Sequence, residues 1–311
     1  MQFVLHILPL RRLSMAGASV LISLFCFTPC YALKFEDSFR QEVGRFIESL
    51  DDDQRALCLH DLADKRRWEM RYTGGKRSGV MIRDLDENQR SLMVKVLSMV
   101  LSPHGWKMAN AVAFQDAGEG GDALGKYWIT CFGDPRNGDF AFRLAEHHLT
   151  VVHLELADDV ANEFGPILLG ANPATLWKED ELALLNAWPL IGNEKALIEG
   201  ERGIATESMN EGEGIDFTAL SGEAQKAIQA AWARRLSVFT EEIQQRVNQL
   251  HVKRGGWTGS RVAYYNEVPT KRCIDGGRWD FKCGLPGMLW AFESSRGHIH
   301  MSLWVSAEGE E

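Results

Sequence analysis

The alternation of apolar and polar positions is clearest near the C-terminus, where two strand-like runs flank a short polar segment. In the second run, residues 298–305, successive side chains alternate between two sets. The apolar set is Ile299, Met301, Leu303 and Val305, and the polar set is His298, His300, Ser302 and Trp304. Because side chains alternate across a strand, the two sets lie on opposite faces. The runs therefore predict a β-hairpin with residues 294–297 as its turn.

Pairing across this hairpin brings a carboxylate to the histidines. A four-residue turn predicts that Glu293 pairs with His298 and Ala291 with His300. Residues directly opposite each other share a face of the sheet. Glu293, His298 and His300 are therefore predicted to project together from the polar side of the hairpin.

Helical patterns precede the hairpin. Apolar residues recur every three or four positions from Leu92 to Leu101, behind a capping-box pattern at residues 86–89, and Pro103 is predicted to end this helix. Further helical stretches are predicted at residues 35–70, 179–190 and 221–252.

Strand patterns lie between the helical stretches. Strands are predicted at residues 126–132, 140–144, 146–156 and 261–268, with loops at 166–173 and 274–282. On the strand 146–156, His147 and His148 are predicted to point to opposite faces. Runs of helices and of strands, without alternating βαβ units, predict an α+β fold with an antiparallel or mixed sheet and flanking helices.

The N-terminus has the pattern of a secretory signal. Arg11 and Arg12 precede an apolar run, and the small residue Ala32 lies at the position before the predicted cleavage site. We expect residues 1–32 to be removed and residues 33–311 to form a single domain that is periplasmic or extracellular, by either the general or the twin-arginine route. No later apolar run reaches membrane-spanning length, so no span is predicted in the mature form.

The net charge of the chain limits the kinds of molecule that it is expected to bind. The 311 residues carry a net charge of -9, and loss of the two signal arginines makes it about -11. Such an acidic protein is not expected to bind nucleic acid. A small molecule is the expected partner, and the sequence leaves the oligomeric state open.

The cysteines predict a disulfide. Cys58, Cys131, Cys273 and Cys283 follow the signal, and an even number in an oxidising compartment favours pairing. Cys273 and Cys283 flank a glycine-rich loop, so the predicted bond closes that loop. Cys58 and Cys131 would pair or stay buried.

Several motifs in fixed order resemble a known family. They are Arg77-x-Gly79, Tyr127 with Phe132-Gly133-x-Pro135, His147-His148-Leu149, residues 170–173, Trp257-x-Gly259 with Tyr264-Tyr265, and Glu293 before His298-Ile-His300. Over about residues 70–300 the chain resembles the bacterial domain of unknown function 3500 family. The resemblance implies that the paired histidines belong with Glu293, His298 and His300, and it implies no established reaction. The chain departs from the family at Glu146, usually Gly, and after His300, where Arg-Asp and Asp-Tyr-Gly elements are usual.

These residues suggest a mononuclear metal site. Two or three imidazoles with one carboxylate suit zinc, iron(II) or copper(II). The predicted ligands are His147, His148, Glu293, His298 and His300. Such a site would serve a metal-dependent hydrolase or an oxygenase.

Three alternatives remain open from the sequence. The first is a metal-free enzyme in which Glu293 orients His298 as a general base. The second is a non-enzymatic periplasmic protein that binds a metal or small ligand in an aromatic cleft lined by Trp257, Tyr264, Tyr265, Trp290 and Trp304. The third is a buried histidine network that only stabilises the sheet. No Gly-x-Ser-x-Gly motif is present, so acyl transfer through serine is not expected. A phosphate loop at residues 74–76 is not supported by the spacing, but Arg77 in that turn could face a substrate.

Overall fold

A computed structural model describes residues 34–117, 122–155, 164–192, 194–203, 209 and 212–305. The expected signal peptide lies outside the described residues. The helices are α1 (Phe35–Ser49), α2 (Asp52–Cys58), α3 (Glu87–Val100), α4 (Pro103–Ala117), α5 (Lys178–Ile191), α6 (Gly222–Leu236) and α7 (Glu241–Lys253). The strands are β1 (Leu59–His60), β2 (Val80–Met81), β3 (Trp128–Phe132), β4 (Phe140–Ala145), β5 (Leu149–Glu155), β6 (Phe164–Ala171), β7 (Leu197–Glu199), β8 (Ile215–Asp216), β9 (Arg261–Asn266), β10 (Trp279–Leu285), β11 (Met288–Ser295) and β12 (His298–Val305). Within the described residues, no helix has both the length and the hydrophobicity needed to cross a bilayer.

All the strands belong to one open mixed sheet, which confirms the α+β prediction. Its order is β1-β3-β4-β5-β6-β12-β11-β10-β9-β7, with β2 on β3 and β8 on β9. Two pairs are parallel, β1 with β3 and β7 with β9, and the others are antiparallel. The C-terminal hairpin of β11 and β12 joins β4 and β5 through β6. Strands from the middle of the chain and from its C-terminal part are therefore neighbours in the middle of the sheet.

The main hydrophobic core lies between the helices and one face of the sheet. Met93 and Val96 of α3 pack in this core with Val151 of β5 and Met301 of β12. On the other face, a smaller cluster packs against the segment after α2. It joins Phe132, Ala141 and Val152 to Leu62 and Trp68. The polar side of the hairpin belongs to this second face.

Capping explains where two of the helices begin. At α3 the Asp86 carboxylate accepts from the Gln89 amide at 2.8 Å, and the Gln89 side chain accepts from the Asp86 amide at 2.9 Å. Asp51 and Gln54 form the same capping box at α2. The predicted helix over residues 35–70 is right only as far as Cys58, because β1 and short turns come after it.

Pro103 starts a helix that the sequence pattern missed. Pro103 is the first residue of α4, where its missing N–H has no intrahelical acceptor to lose. The Ser102 hydroxyl caps the helix by accepting from the Gly105 amide at 3.0 Å. The prediction that Pro103 ends the preceding helix therefore omitted α4.

The predicted loop at residues 166–173 was also wrong, because β6 covers most of it. The β5–β6 ladder has an irregularity between Val151 and His153, and its pairs skip Pro166. Proline is tolerated in a sheet at such a bulge because no ladder hydrogen bond is required of it. Likewise β10 begins at Trp279, inside the predicted loop over residues 274–282.

The predicted disulfide is not formed. The four cysteines of the described residues are buried and form no disulfide. Cys273 lies at the turn of the hairpin, where its Sγ accepts from the Gly297 amide at 3.2 Å. Cys283 lies opposite Trp290, five residues from Ser295 at that turn. Five strand residues span about 17 Å, whereas a disulfide requires Cα atoms within about 7 Å.

Candidate metal centre

Four histidines meet on the polar face of the sheet. His147 and His148 lie between β4 and β5, and His298 and His300 lie at the start of β12. One ligand nitrogen of each lies within 4.8 Å of those of the other three. The Nε2 atoms of His147 and His300 are 3.3 Å apart, and those of His148 and His298 are 2.7 Å apart. The structure thus brings together the four histidines predicted as ligands.

The hairpin has the predicted faces but a different register. Ser295 pairs with His298 and Glu293 with His300, so the turn is only Arg296-Gly297. Both turn residues have positive φ, 53° and 81°, which is the conformation of a tight two-residue hairpin turn. The predicted pairing was therefore wrong by two residues. A shift of two keeps every side chain on its face, so the predicted faces survive.

His147 and His148 do not lie on the strand as predicted. They occupy the turn between β4 and β5, in which the Glu146 amide donates to the Leu149 carbonyl at 2.8 Å. Outside a strand, neighbouring side chains need not point to opposite faces. The two imidazoles stack instead, with ring centroids 3.9 Å apart, and both belong to the group of four histidines.

Gly170 of β6 forms the floor of the site. It lies opposite His300 in the β6–β12 ladder. A Cβ atom at this position would lie 2.8 Å from Cδ2 of His148 and 2.9 Å from Cδ2 of His300, both closer than real contacts allow. The absence of a side chain at Gly170 therefore makes room for the two imidazoles.

Asp116 orients His148. It lies near the C-terminal end of α4, and its Oδ1 is 2.5 Å from Nδ1 of His148. A carboxylate accepts only, so His148 donates from Nδ1 and leaves the Nε2 lone pair directed at the centre. The Tyr127 hydroxyl donates to the other oxygen, Oδ2, at 3.3 Å. Burial, then the Asp116 charge, raises the pKa of Tyr127 well above its usual value, so Tyr127 keeps its proton.

The electrostatics of the site favour the neutral form of three of the imidazoles. Burial lowers the pKa of His147 to about 4 and that of His300 to about 2, and the neighbouring imidazoles act in the same direction. Burial also lowers the pKa of His298. Neutral imidazoles have the lone pairs that a metal ion requires.

Glu293 is not a member of the four-histidine group. It lies on β11 directly opposite His300, and its charge acts on Tyr72 and Lys282. The Tyr72 ring meets the His300 ring edge-on, with centroids 5.0 Å apart. The prediction that Glu293 is a ligand stays a prediction.

A pocket of about 720 Å³ lies beside the histidines, and His147 forms part of its wall. Asp116 and Glu146 line the same end, and the aromatic rings of Tyr127 and Trp128 line its side. This volume is within the range that holds small organic ligands. The pocket therefore gives a small molecule access to the His147 side of the centre.

The aromatic cleft predicted for a binding protein is not the wall of this pocket. Tyr264 and Trp290 are 0% and 2% exposed and belong to the main core on the opposite face of the sheet. Arg77 is not a surface residue either. It is 4% exposed and donates to the backbone carbonyls of Gly75 at 2.7 Å and Thr73 at 2.6 Å, so it shapes the loop beside the pocket.

Asp116 is the site residue that the sequence analysis missed. The signal available was a Ser-Pro pair at residues 102–103, typical of a helix start, with apolar positions after it at Ala109, Val112 and Ala113. A helix begun there carries Asp116 at its end. Nothing in the sequence indicates that this helix end lies against the turn between β4 and β5.

Comparison with known proteins gives one match. The sequence model of the family described as "Protein of unknown function (DUF3500)" matches residues 35–301, which is most of the chain. No curated protein and no solved structure matches the chain. The chain belongs to the domain of unknown function 3500 family.

Proposed function

We propose that the protein binds one divalent transition metal through His147, His148, His298 and His300 and acts on a small organic molecule that enters from the adjoining pocket. The observation that carries the proposal is the convergence of four imidazoles whose ligand nitrogens lie within 4.8 Å of one another. Imidazole ligands suit zinc, copper(II) and iron(II).

The surroundings of the histidines fit a metal ion. Asp116 supplies the carboxylate contact that commonly orients a ligating histidine. Two nitrogens bound to a tetrahedral metal at about 2.05 Å lie about 3.3 Å apart. The His147–His300 pair already has that separation, and the His148–His298 pair would open by about 0.6 Å from 2.7 Å.

A bound divalent metal would acidify a water molecule or polarise a substrate oxygen. The chain's own residues would supply position and proton control. Asp116 holds His148 in one tautomer, and Tyr127 shares the carboxylate through its other oxygen. Glu146 lines the pocket beside His147 and is a candidate to receive a proton from a molecule held there.

A second candidate function is that of a metal-binding protein without turnover. The observation that favours it is the number of histidines, because four can fill a tetrahedral shell and leave no position for substrate. A catalytic site usually keeps one position open. We infer from the sequence pattern alone that either form is exported.

Metal titration followed by an activity screen tests the proposal. Untagged wild-type protein is compared with His298→Ala and with His104→Ala, which removes a histidine from the start of α4 outside the four-histidine group. We expect about one equivalent of zinc or copper to bind to wild type and His104→Ala and less to His298→Ala. Metal-dependent turnover of ester, amide or phenol substrates would support the enzyme, and binding without turnover the second candidate. A wild-type protein that takes up no metal would refute both and leave a structural histidine network.

A further inference from the structure

The pocket beside His147 carries opposite charges in its buried and exposed parts. Two acidic residues lie near the histidines. Asp116 accepts a hydrogen bond from His148 Nδ1, and Glu146 accepts one from the His147 amide. The exposed lining of the pocket includes Lys76, Arg83 and Lys126. Resting on the proposed function, we propose that the pocket takes a small organic anion. Its apolar body lies along the pocket wall, and its anionic group lies at the exposed lysines.

Lys76 and Lys126 give a positive charge to the exposed edge of the pocket, which we call the rim. The charge of Arg83 is offset by its neighbour Asp84, whose Oδ1 lies 3.9 Å from the Arg83 Nε. Lys126 donates to a neutral group, the Ala117 carbonyl, at 3.2 Å. Among the described residues, neither lysine has a carboxylate partner. Two ammonium groups are therefore available to an incoming anion.

This positive rim stands out against the charge of the whole chain, which is -9. An acidic protein repels anions over most of its surface, so an anionic ligand needs a local positive region to approach. At the buried end, the carboxylates of Asp116 and Glu146 would balance the charge of a divalent metal. The lysines at the exposed edge are therefore the positive region that an entering anion would meet.

The wall between the two ends limits the kind of anion. Met81 and Trp128 present apolar surface in a volume of about 720 Å³. An inorganic ion would leave this surface exposed to water, whereas an aryl or alkyl group would cover it. A carboxylate on an aromatic or aliphatic body fits both the wall and the rim.

Calorimetric titration with a matched pair of ligands tests the proposal. The probes are 4-phenylbutyrate and its neutral amide, 4-phenylbutanamide, added to zinc-treated and to metal-free full-length protein whose zinc content is measured. The proteins are wild type, the Lys76→Gln/Lys126→Gln double variant, and Lys226→Gln as a control for loss of an exposed lysine on α6.

We expect wild type to bind the acid about tenfold more tightly than the amide, because two partly screened charge pairs contribute. The double variant should bind the acid and the amide with affinities within about twofold of each other, and its affinity for the amide should equal that of wild type. Lys226→Gln should still bind the acid about tenfold more tightly than the amide. Equal binding of acid and amide to wild type, a preference that survives in the double variant, or no binding of either ligand would overturn the proposal.

The metal-free arm separates this proposal from the metal centre. The charges of the rim lysines do not depend on a metal. The part of the acid-over-amide affinity difference that the lysines cause should therefore persist in metal-free protein. A chain that takes up no zinc but still prefers the acid would refute the metal centre and keep the anion pocket. A preference that requires zinc and is unchanged in the lysine double variant would refute the anion pocket and keep the metal centre.

Discussion

Replacing Gly170 with alanine should damage the proposed metal centre without removing any of its candidate ligands. The added Cβ would lie 2.8 Å and 2.9 Å from the Cδ2 atoms of His148 and His300, and ordinary contact begins at 3.4 Å. Each ring must therefore move by about 0.5 Å, whereas metal–ligand distances hold to within about 0.2 Å. The same Cβ would lie 2.7 Å from the Ile299 carbonyl oxygen, so β12 must shift as well.

The expected loss can be expressed as metal-dependent stability. At a free metal concentration about 1,000 times Kd, a bound metal raises the free energy of unfolding by about 4.1 kcal/mol. If Gly170→Ala weakens binding about a hundredfold, the same metal concentration contributes only about 1.4 kcal/mol. Overpacking should also lower the stability of the metal-free variant by about 1–3 kcal/mol.

Denaturant unfolding with and without zinc, together with calorimetric titration, measures both quantities. Gly138→Ala is the matched control, because a Cβ there meets nothing within 4 Å. The control should keep the wild-type difference between zinc-bound and metal-free stability. A Gly170→Ala protein that binds zinc as tightly as wild type would refute the assignment of Gly170 as the floor of the site.

Three further predictions concern the site and its surroundings. Asp116→Asn should weaken metal binding about 10–100-fold in calorimetry while Asp53→Asn, an exposed carboxylate on α2, changes nothing, and equal affinities would show that Asp116 does not orient a ligand. Metal-free protein should lose stability as the pH falls below about 6.5. In the folded state the pKa values of His147 and His300 are lowered to about 4 and about 2, so these histidines bind protons in the unfolded chain at a higher pH than in the folded protein. Each such histidine contributes at most about 1.4 kcal/mol per pH unit, less for the partly exposed His147, and equal unfolding free energies at about pH 7 and pH 5 would contradict this. Purified protein that lacks the predicted signal, residues 1–32, should show four reactive thiols after denaturation without reductant and almost none before, since Cys58, Cys131, Cys273 and Cys283 are buried and form no disulfide, and two thiols lost to a disulfide would contradict the structure.

Alternation along β12 was enough to predict which residues face the site, because one face of the strand is apolar throughout. Register was harder to predict. The sequence Ser-Ser-Arg-Gly fits a four-residue loop, and a two-residue turn requires Arg296 to adopt a positive φ, which is uncommon for a residue with a side chain. Since side chains repeat every two residues, the error left the faces correct and moved Glu293 from His298 to His300.

The meeting of the two histidine pairs is a property of the sheet order. His147-His148 and His298-x-His300 are about 150 residues apart, and only the insertion of β6 between β5 and β12 brings them together. No local pattern indicates that insertion, because Pro166 made β6 resemble a loop. The family resemblance supplied the association that the periodicity could not.

Asp116 depends on contacts of the same long-range kind. Its helix could be predicted from Ser102-Pro103, but its contact with His148 depends on how α4 packs against the sheet. Gly170 and Tyr127 were noted only as family motifs, and their roles come from the space and the hydrogen bond that the structure gives them. Local chemistry thus indicated the candidate ligands, and tertiary packing supplied the residues that hold them.

X-ray absorption spectroscopy on protein loaded with one equivalent of zinc or copper tests the central claim most directly. Coordination by His147, His148, His298 and His300 predicts three or four imidazole nitrogens at about 2.0–2.1 Å, with at most one or two further oxygen ligands. The signal should lose imidazole scattering in His300→Ala and keep it in His104→Ala. A first shell made of oxygen or sulfur, or a spectrum unchanged in His300→Ala, would contradict the four-histidine metal centre.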